Sequence, residues 1–439
     1  AMNNNRRRFL INSSLTLSGL AVAKTAGAYF PFQTLQEYEV PESLRKEMYE
    51  KALSIAKTKV RGGEKDPYYP KPFVDAAFSS NIFYWDTCFI ACYAKYHTDE
   101  LPILNALDNF YELMEPDGFI CREYTRERKA MWPKEHPVSM NPPLLAFAEL
   151  QLYAVTKNKN RLATVYPKLK KHLEYWVQTY RGDDKLFFND ALGSGMDNID
   201  RYPYGWQDDG KGIPMRNLFP EIFTYQGLNP AWNRQGRMVD VSAQICLFAA
   251  NMEEIAGILT RKDDIPAYKN LYAETKNAIN TLCWNEEDAF YYDLGYGKQI
   301  KRKHIGMFWC LIAGVVPNEK LSRFLKHLTN PNEFWRSIPI ATMPADQKEF
   351  SPKGDYWRGS VWVPTNYMIL LGLLKYGEKK IANKLARQYY WAVAEVYKKT
   401  GTFWENYAPD FIDRGNDSRP DFCGWTGIVP IAIYREFIR

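Results

Sequence analysis

Helical periodicity is the feature that most constrains how this chain can fold. In the stretch VDVSAQICLFAANMEEIAGILTR, apolar residues recur at steps of three and four from Val241 to Leu259, which places them on one face of an α-helix. The same pattern predicts helices near residues 42–59, 86–96, 101–114, 143–156, 161–180, 239–260, 267–283, 304–314, 319–328, 361–376, 379–397 and 425–437. There is no sustained β-alternation, βαβ rhythm or coiled-coil heptad. The sequence therefore predicts an all-α fold.

The connections between these helices alternate between short turns and long segments rich in Gly, Pro, Asp and aromatic residues. The long segments are residues 115–142, 189–238, 284–303, 331–359 and 399–424. Antiparallel helical pairs joined in this way are typical of a closed toroid whose long loops gather at one end. We therefore expect residues 29–439 to form a single (α/α)6 barrel domain with aromatic-rich loops at one end.

The first 28 residues have the features of an export signal. A basic start, Arg6-Arg7-Arg8, precedes a mildly apolar stretch from Leu10 to Val22 and a small-residue cleavage site at Ala26-Gly27-Ala28. This order indicates a twin-arginine signal, whose cargo crosses the membrane already folded; the alternative is a basic amphipathic helix. We expect a periplasmic or otherwise exported protein. No later segment approaches the roughly 20 apolar residues of a membrane span.

Composition excludes several other classes of function. The net charge of +6 comes from dispersed Lys and Arg, and no basic tract interleaves with aromatics, which argues against a nucleic-acid partner. The seven cysteines lack CxxC pairs and zinc-like spacing to histidines, so we predict neither a metal site nor a cofactor. We expect the cysteines to act as small buried apolar residues, with at least one free thiol.

Charged and aromatic residues concentrate in five segments in or beside the predicted loops. These are NIFYWDTCF (81–89), residues 117–145, ALGSGMDNIDRYPYGW (191–206), DYWRGSVWVPTNY (355–367) and residues 401–427. Aromatic residues make up 15% of the chain, with 13 Trp and 30 Tyr. Flat rings pack on the apolar faces of sugar rings, while carboxylates, amides and guanidinium groups bind hydroxyls. The mixture favours a carbohydrate-binding cleft.

Two carboxyl groups in these segments are candidates for glycoside hydrolysis, which needs a proton donor and an ionised partner. Asp197 lies in GSGMDN, where Gly193 and Gly195 allow a sharp backbone turn, and it is the candidate acid. Glu405, in FWENYAP, is the candidate base. From local sequence alone, Asp197 could equally be a turn or helix-cap aspartate, and Glu405 a surface glutamate beside packed aromatics. Asp86 could simply cap the helix that follows it.

Taken together, the motifs resemble glycoside hydrolase family 63, including its trehalase-like and mannosylglycerate-hydrolase-like bacterial members, and more distantly the trehalases of family 37. YWDTCF is similar to the family's YWD segment, and GFICRE with MNPPLL to its GxIxRE and NPP pair. GSGMDN is similar to ESGxDN, YWRGSVW to YWRGPVW, and WENYAP with FCGWTG to ENYxP with FxWSG. The five segments occur in the family's order over residues 84–427, which is most of the chain after the signal.

The resemblance implies an (α/α)6 barrel and an inverting mechanism on small α-linked glucosides or mannosides. Asp197 would be the general acid and Glu405 the general base, with a water between carboxyl groups roughly 6.5–9.5 Å apart. It further implies that substrate contacts come from the residues that match the other motif positions, namely Tyr84, Trp85, Asp86, Arg122, Glu123, Asn141, Asn198, Trp357, Arg358, Trp362, Trp404 and Trp425.

The chain departs from the family pattern at two motif positions. Gly193 stands where the family has the glutamate of ESG, which puts any sugar-binding role of that glutamate in doubt, and Ser360 stands where proline is common. Larger family members carry an N-terminal β-sandwich; with only about 40 residues before the first helix, we expect that module to be absent. This shorter build is closer to the mannosylglycerate-hydrolase type.

Two other readings of the same motifs stay open. A polysaccharide lyase or sugar epimerase on the same toroid would use His or Tyr as a proton shuttle, and of the five histidines only His136 lies in a candidate active-site loop. A non-catalytic glycan-binding protein would use the carboxylates only to bind hydroxyls. For the hydrolase, we expect the partner to be a small carbohydrate substrate.

Overall fold

The computed structural model of the chain describes residues 38–76, 79–132, 134, 137–189, 193–199, 236–422 and 424–439. The predicted export signal at residues 1–28 lies outside this part, as do His136 and Cys423. In the described part, eleven α-helices and a π-type helix at the end of the chain follow the apolar periodicity of the sequence. In chain order they are α1 (Glu42–Thr58), α2 (Tyr84–Ala94), α3 (Ile103–Leu113), α4 (Leu145–Thr156), α5 (Lys159–Tyr180), α6 (Val239–Ile258), α7 (Ile265–Ala278), α8 (Trp309–Ala313), α9 (Asn318–Thr329), α10 (Val363–Lys375), α11 (Lys379–Thr400) and the π-type α12 (Val429–Ile438).

The even-numbered helices form a closed inner ring. All eleven residues of α2 and all five of α8 are buried, so these helices are apolar on nearly every side and have to lie inside the molecule. Around the ring, α2 contacts α4, α4 contacts α6, α6 contacts α8, and α8 contacts α10. A 3₁₀ turn at Thr426–Ile428 contacts α10 and leads into α12, and both the turn and α12 contact α2, which closes the ring.

The odd-numbered helices are amphipathic and lie outside this ring. In α9, for example, the buried residues are Leu321, Phe324, Leu325 and Leu328, which share one face, while the other face carries charged side chains. α3, α5, α7 and α11 pack against inner helices next to them in the chain, and α1 packs on α12. The architecture is therefore an (α/α)6 barrel, as the sequence predicts.

One predicted helix is shorter in the structure. The sequence indicates a helix near 304–314, but the α-helical part is only Trp309–Ala313. His304 explains the difference, since its side chain accepts a hydrogen bond from the Gly306 N–H and so begins a separate 3₁₀ turn at Ile305–Phe308. Gly314, at φ +71°, ends the helix in the left-handed conformation that glycine adopts without strain.

The long loops form only two-residue strands in the described part. They are β1 (Val60–Arg61), β2 (Phe73–Val74), β3 (Ile82–Phe83), β4 (Glu123–Tyr124), β5 (Gly236–Arg237), β6 (Trp284–Asn285), β7 (Phe290–Tyr291), β8 (Leu294–Gly295) and β9 (Lys298–Gln299). All pairs are antiparallel: β1 with β2, β3 with β4, β6 with β7, and a sheet in the order β5-β8-β9. The β3–β4 pair matters most for the site, because Phe83 lies opposite Glu123 and Tyr84 N–H donates to the Arg122 carbonyl at 2.9 Å.

Chain connectivity gives the barrel two different ends. A long loop precedes each inner helix, and a shorter turn connects each inner helix except the last to the outer helix that follows it. The N-termini of all six inner helices therefore lie at the end where the long loops gather. We call this end the mouth. Aligned peptide dipoles leave a partial positive charge at each helix N-terminus, so the mouth is a favourable place for carboxylates.

A buried ion pair ties the first inner helix to the last at the end opposite the mouth. Lys95 follows α2 and Glu436 lies in α12, with side chains 1% and 2% exposed, and their charged atoms are 2.7 Å apart. Gln151 in α4 accepts a further hydrogen bond from Lys95 at 2.7 Å. The hydroxyls of Tyr96 and Tyr367 each donate to Glu436 at 2.8 Å. This network therefore connects four inner helices where the ring closes.

The six described cysteines are buried and free, which agrees with the role predicted for them as small apolar residues. Among the described helices, none combines the length and the hydropathy needed to cross a membrane.

We expect Glu436→Gln to lower the free energy of unfolding by about 3–5 kcal/mol, because it leaves the Lys95 ammonium buried without its counter-charge. Urea denaturation at pH 7 measures this loss. The matched control is Lys398→Met, whose pair with Glu395 is exposed and should contribute less than about 0.5 kcal/mol. A Glu436→Gln variant as stable as the control would contradict a role for the pair in ring closure.

Candidate active site

Four tryptophans pack together at the mouth of the barrel. Trp85 is in the first turn of α2, Trp357 and Trp362 precede α10, and Trp425 precedes the turn into α12. The Trp357 and Trp362 rings stack with centroids 4.0 Å apart and planes at 3°. Trp85 lies 6.0 Å from Trp357 and 5.9 Å from Trp425. We call these four residues the tryptophan cluster.

The rings of the tryptophan cluster are packed on one another and buried, so they do not form open surfaces for sugar stacking. Trp357 and Trp362 are fully buried, because each covers one face of the other and neighbouring residues cover the rest. The resemblance implies that both rings contact substrate, which stays a prediction; neither ring has an exposed face in the structure. Trp85 and Trp425 are also almost completely buried.

The loop that carries Asp197 packs directly against the tryptophan cluster. Gly195 has φ +79°, and a Cβ at this position would come within 2.4 Å of the Trp85 ring, so only glycine fits. Asn141 donates from Nδ2 to the Gly193 carbonyl at 3.4 Å, and the Met196 N–H donates to Ser194 Oγ at 3.2 Å. Asn141 therefore holds the loop through its backbone.

Arg122 is the charged partner of Asp197, with Nη2 3.3 Å from Oδ1. Its guanidinium lies over the Trp132 ring, 5.5 Å from the centroid. Trp132 in turn donates from Nε1 to Glu123 at 3.0 Å, and Asn81 donates to the other Glu123 oxygen at 2.6 Å. Both oxygens of Glu123 thus accept hydrogen bonds within the protein, and the substrate contact that the resemblance implies for this residue stays a prediction.

Glu405 is held by its backbone and directs its side chain toward Tyr356. Its N–H donates to the Arg419 carbonyl at 3.0 Å, and its carbonyl accepts from Trp425 Nε1 at 3.2 Å. The carboxyl group is 3.5 Å from the Tyr356 hydroxyl. The residue is only 7% exposed, so the structure rejects the alternative of a surface glutamate.

Three carboxyl groups act on one another at this point of the mouth. The pKa of Glu405 is raised to about 7, mainly by burial; the charge of Arg419 opposes this rise and the charge of Asp197 contributes to it. The pKa of Asp86 is raised to about 8, again mainly by burial; the charge of Arg122 opposes this rise, and the charges of Glu405 and Asp197 contribute to it. Asp86 is in the first turn of α2 but does not cap it. Carboxyls that titrate near neutral pH are suited to proton transfer.

Tyr356 is a site residue that sequence reasoning missed. Its backbone is left-handed, with φ +55°, and its carbonyl accepts from Trp362 Nε1 at 3.0 Å. Burial raises the pKa of its hydroxyl well above the usual value, and the charges of Glu405, Asp197 and Asp86 act in the same direction. The hydroxyl is therefore 3.5 Å from Glu405 and close enough to Asp197 and Asp86 to be influenced by their charges. The available signal was its place between two glycines in GDYWRG, a sequence that indicates a strained turn.

Other predicted substrate contacts lie away from the three acids. Tyr84 is in the core, with its hydroxyl 3.0 Å from His172 Nε2, because its position in α2 directs it toward α5. Trp404 donates from Nε1 to Thr400 Oγ1 at 3.1 Å and packs under Arg414. These two predictions of direct substrate contact are not supported. Asn198 and Arg358 bond to each other's segments, as described below.

The four described histidines have both ring nitrogens engaged within the protein. His172 bonds Tyr84 and the Gly118 carbonyl, and His304 bonds Asp293 and the Gly306 N–H. The two others, His97 and His327, pair with acidic side chains and a further partner each. Within the described residues there is also no group of three or more His, Cys, Asp or Glu placed to hold a metal ion. The ionisable groups that the described site brings together are the carboxyls of Asp86, Asp197 and Glu405, with Arg122 and Tyr356 beside them.

Comparison with known proteins agrees with this arrangement. The sequence profile of the mannosylglycerate hydrolase MGH1-like glycoside hydrolase domain matches residues 79–419, a range that holds Asp86, Asp197 and Glu405. An uncharacterized protein of Borreliella burgdorferi is 25% identical over 377 residues, which are 83% of this chain and 71% of that protein.

Other similar proteins carry the names of enzymes. A probable mannosyl-oligosaccharide glucosidase of Schizosaccharomyces pombe is 24% identical over 409 residues, 79% of this chain and 48% of that enzyme, so the chain spans about half its length. The crystal structure of a GH63 mannosylglycerate hydrolase from Thermus thermophilus in complex with glucose superposes with a TM-score of 0.69 at 19% identity, covering 88% of this chain and 99% of that one. The same enzyme has been crystallised with Tris and D-glycerate. This likeness shows a shared fold.

The raised pKa of Glu405 predicts a pH-dependent cost in stability. Between pH 4.5 and about 7 the folded protein keeps a proton on Glu405 that the unfolded chain has released, so stability falls as pH rises through this range. We expect Glu405→Gln to match the wild type near pH 4.5 and to exceed its free energy of unfolding by on the order of 2 kcal/mol at pH 8.5. Urea denaturation at both pH values measures the difference.

Asp264→Asn is the control of opposite sign. The hydrogen bond from Lys170 lowers the pKa of Asp264, so its ionised form is stabilised in the fold and the variant should be less stable than wild type at pH 8.5. A Glu405→Gln variant that loses stability at pH 8.5 would mean that the glutamate is paired rather than desolvated.

Proposed function

The chain belongs to the mannosylglycerate hydrolase MGH1-like family of glycoside hydrolases, and on that premise we propose that it cleaves small α-linked glucosides or mannosides with inversion at the anomeric carbon. Asp197 is the general acid and Glu405 the general base in this proposal. The observation that carries it is that these two carboxyls, far apart in the sequence, come close enough at the mouth for the charge of one to raise the pKa of the other. A separation of roughly 6.5–9.5 Å, with room for a water, stays a prediction.

Each carboxyl has surroundings that suit its proposed role. Glu405, with a pKa of about 7, is ionised above that pH and retains enough basicity to take a proton from the attacking water. Arg122 is beside Asp197 and stabilises the carboxylate that is left once Asp197 has given its proton to the leaving oxygen. The Tyr356 hydroxyl, 3.5 Å from the Glu405 carboxyl, would bind the water or a sugar hydroxyl.

The proposed substrate class is supported by the burial of the carboxyls and by the relatives. Asp86 and Glu405 are almost completely buried, which favours a reacting sugar at the end of a chain over one in its interior. A terminal residue of a disaccharide or oligosaccharide, or a glycosylglycerate, fits this requirement. Glucose and D-glycerate bound to the Thermus thermophilus enzyme, and the glucosidase name of the Schizosaccharomyces pombe relative, support the same choice.

The two alternative functions are less well supported. A lyase or epimerase needs a proton shuttle, yet the described histidines are all engaged in other contacts and the pKa of Tyr356 is raised, which disfavours a tyrosinate. A glycan-binding protein has no need for carboxyls whose pKa values lie near neutral.

We also propose that the protein is exported by the twin-arginine route, with cleavage after Ala28 leaving residues 29–439 as one catalytic barrel domain. The proposal is supported by the Arg6-Arg7 pair and the small-residue site that follows the apolar stretch. Fractionation of cells that express an Arg6→Lys, Arg7→Lys variant tests it, since the protein should then stay in the cytoplasm.

Proton NMR of the first product distinguishes inversion from retention. The purified protein is incubated with α-linked glucosyl and mannosyl disaccharides, glucosylglycerate and mannosylglycerate, and the anomer released at early times is observed directly. We expect a β-sugar from at least one α-glycoside, because water attacks from the face opposite the leaving group. An α-sugar at early times would rule out inversion, and an unsaturated ultraviolet-absorbing product would identify a lyase.

Asp197→Asn should slow hydrolysis by several orders of magnitude for a substrate with a poor leaving group, and much less for an activated aryl glycoside, because the latter needs little protonation. The measurement is kcat/KM on both substrate types. Asp264→Asn, which removes an ion pair with Lys170 at the other end of the barrel, is the control and should leave both rates unchanged. Equal losses on the two substrate types would remove Asp197 from the acid role.

A further inference from the structure

Asn198 bridges two loops that are far apart in the sequence. Its Nδ2 donates to the Asp355 carbonyl at 3.0 Å, and its Oδ1 accepts from the Trp357 N–H at 2.7 Å. Arg358 Nε donates to the Asn198 carbonyl at 3.2 Å. Three hydrogen bonds therefore join the residue next to Asp197 to residues 355–358, two of them to backbone groups and one to the Arg358 side chain, and the amide is buried.

The loop whose residues 355–358 bond to Asn198 is itself hydrogen-bonded, a few residues further on, to the segment that carries Glu405. Val361 and Tyr407 exchange backbone hydrogen bonds of 2.8 and 3.0 Å. Tyr356, between the two backbone groups that Asn198 binds, places its hydroxyl 3.5 Å from the Glu405 carboxyl. A continuous path of hydrogen bonds and covalent chain thus runs from the Asp197 loop, through Asn198, to residues 404–407.

We propose that Asn198 is a positioning residue that sets the distance between the two catalytic carboxyls, rather than a substrate ligand as the resemblance implies. The inference rests on the proposed roles of Asp197 and Glu405 and deepens them. Its physical basis is that the side-chain amide presents a donor and an acceptor at the same time, which matches one carbonyl and one N–H of the 355–357 turn. Asp would lose the donor, and Leu would lose both.

The distance between the carboxyls matters more in an inverting enzyme than in one that only binds sugar. The general base has to hold a water between itself and the anomeric carbon while the acid reaches the leaving oxygen, so a shift of about 1 Å can cost on the order of 10²-fold in rate. Binding of the sugar ring depends less on this distance, since it draws on contacts spread over the mouth.

The test compares Asn198→Ala and Asn198→Asp with Asn280→Ala. Asn280 is a matched control whose recorded partners lie outside the site: its Nδ2 donates to the carbonyls of Lys276 and Val315 at 2.9 and 2.8 Å, and its Oδ1 accepts from Tyr291 at 2.8 Å. It therefore makes the same kind of bridge without touching the site. The readouts are kcat, KM, the midpoint of thermal unfolding, and the Kd of the product sugar by titration calorimetry.

We expect both Asn198 variants to lose about 10²-fold in kcat while KM and the product Kd change by less than about 3-fold. Asn280→Ala should lower the unfolding midpoint at least as much as Asn198→Ala and keep wild-type kcat. Wild-type kcat in Asn198→Ala would overturn the proposal. A loss confined to KM and Kd would also overturn it, because it would make Asn198 a substrate ligand.

A crystal structure of Asn198→Ala separates failure of this inference from failure of the proposed function. Displacement of residues 193–199 relative to 355–361 supports the positioning role even if the wild type cleaves none of the α-glycosides tested, a result that would count only against the proposed function. Unmoved loops would overturn the positioning role whatever the wild-type activity is.

Discussion

Closure of the inner ring is the constraint on which the rest of the structure depends. The first inner helix, α2, meets the last one, α12, through the buried Lys95–Glu436 pair at one end and through Trp85 and Trp425 at the other. Because the ring closes, segments from opposite ends of the sequence share one mouth. Asp86 near the beginning of the ring and Glu405 near its end can then act on each other electrostatically.

The mouth combines apolar support with unfavourable charge burial. The stacked rings of the tryptophan cluster pack beside the three carboxyls. Among the described residues, few cations compensate for the burial of Asp86 and Glu405. Burial of this kind lowers stability and raises pKa values into the range where proton transfer is efficient. The convergent N-termini of the inner helices offset part of that cost through their partial positive charge. The same burial that suits these carboxyls to proton transfer therefore lowers the free energy of unfolding.

Much of the fold was predictable because it depends on local pattern. The spacing of apolar residues predicted the twelve helices found among the described residues, and alternation of short and long connections predicted the barrel with its loops at one end. The site was predictable in part: Asp197, Asp86 and Glu405 do act on one another. Tyr84, Trp357 and Glu123 occupy motif positions as well, yet their side chains bond or stack inside the protein. A motif names a position in the chain and does not say which way its side chain points.

By itself, the sequence determined the helices, their pairing into a toroid and the segments that carry acids and aromatic rings, since each of these follows from periodicity, connection length or local composition. Only the tertiary structure decided which groups are buried together, because desolvation, ring stacking and hydrogen bonds between distant loops exist only once the ring has closed. The near-neutral pKa values of Asp86 and Glu405, the place of Tyr356 among the acids and the bridge made by Asn198 all belong to that second level.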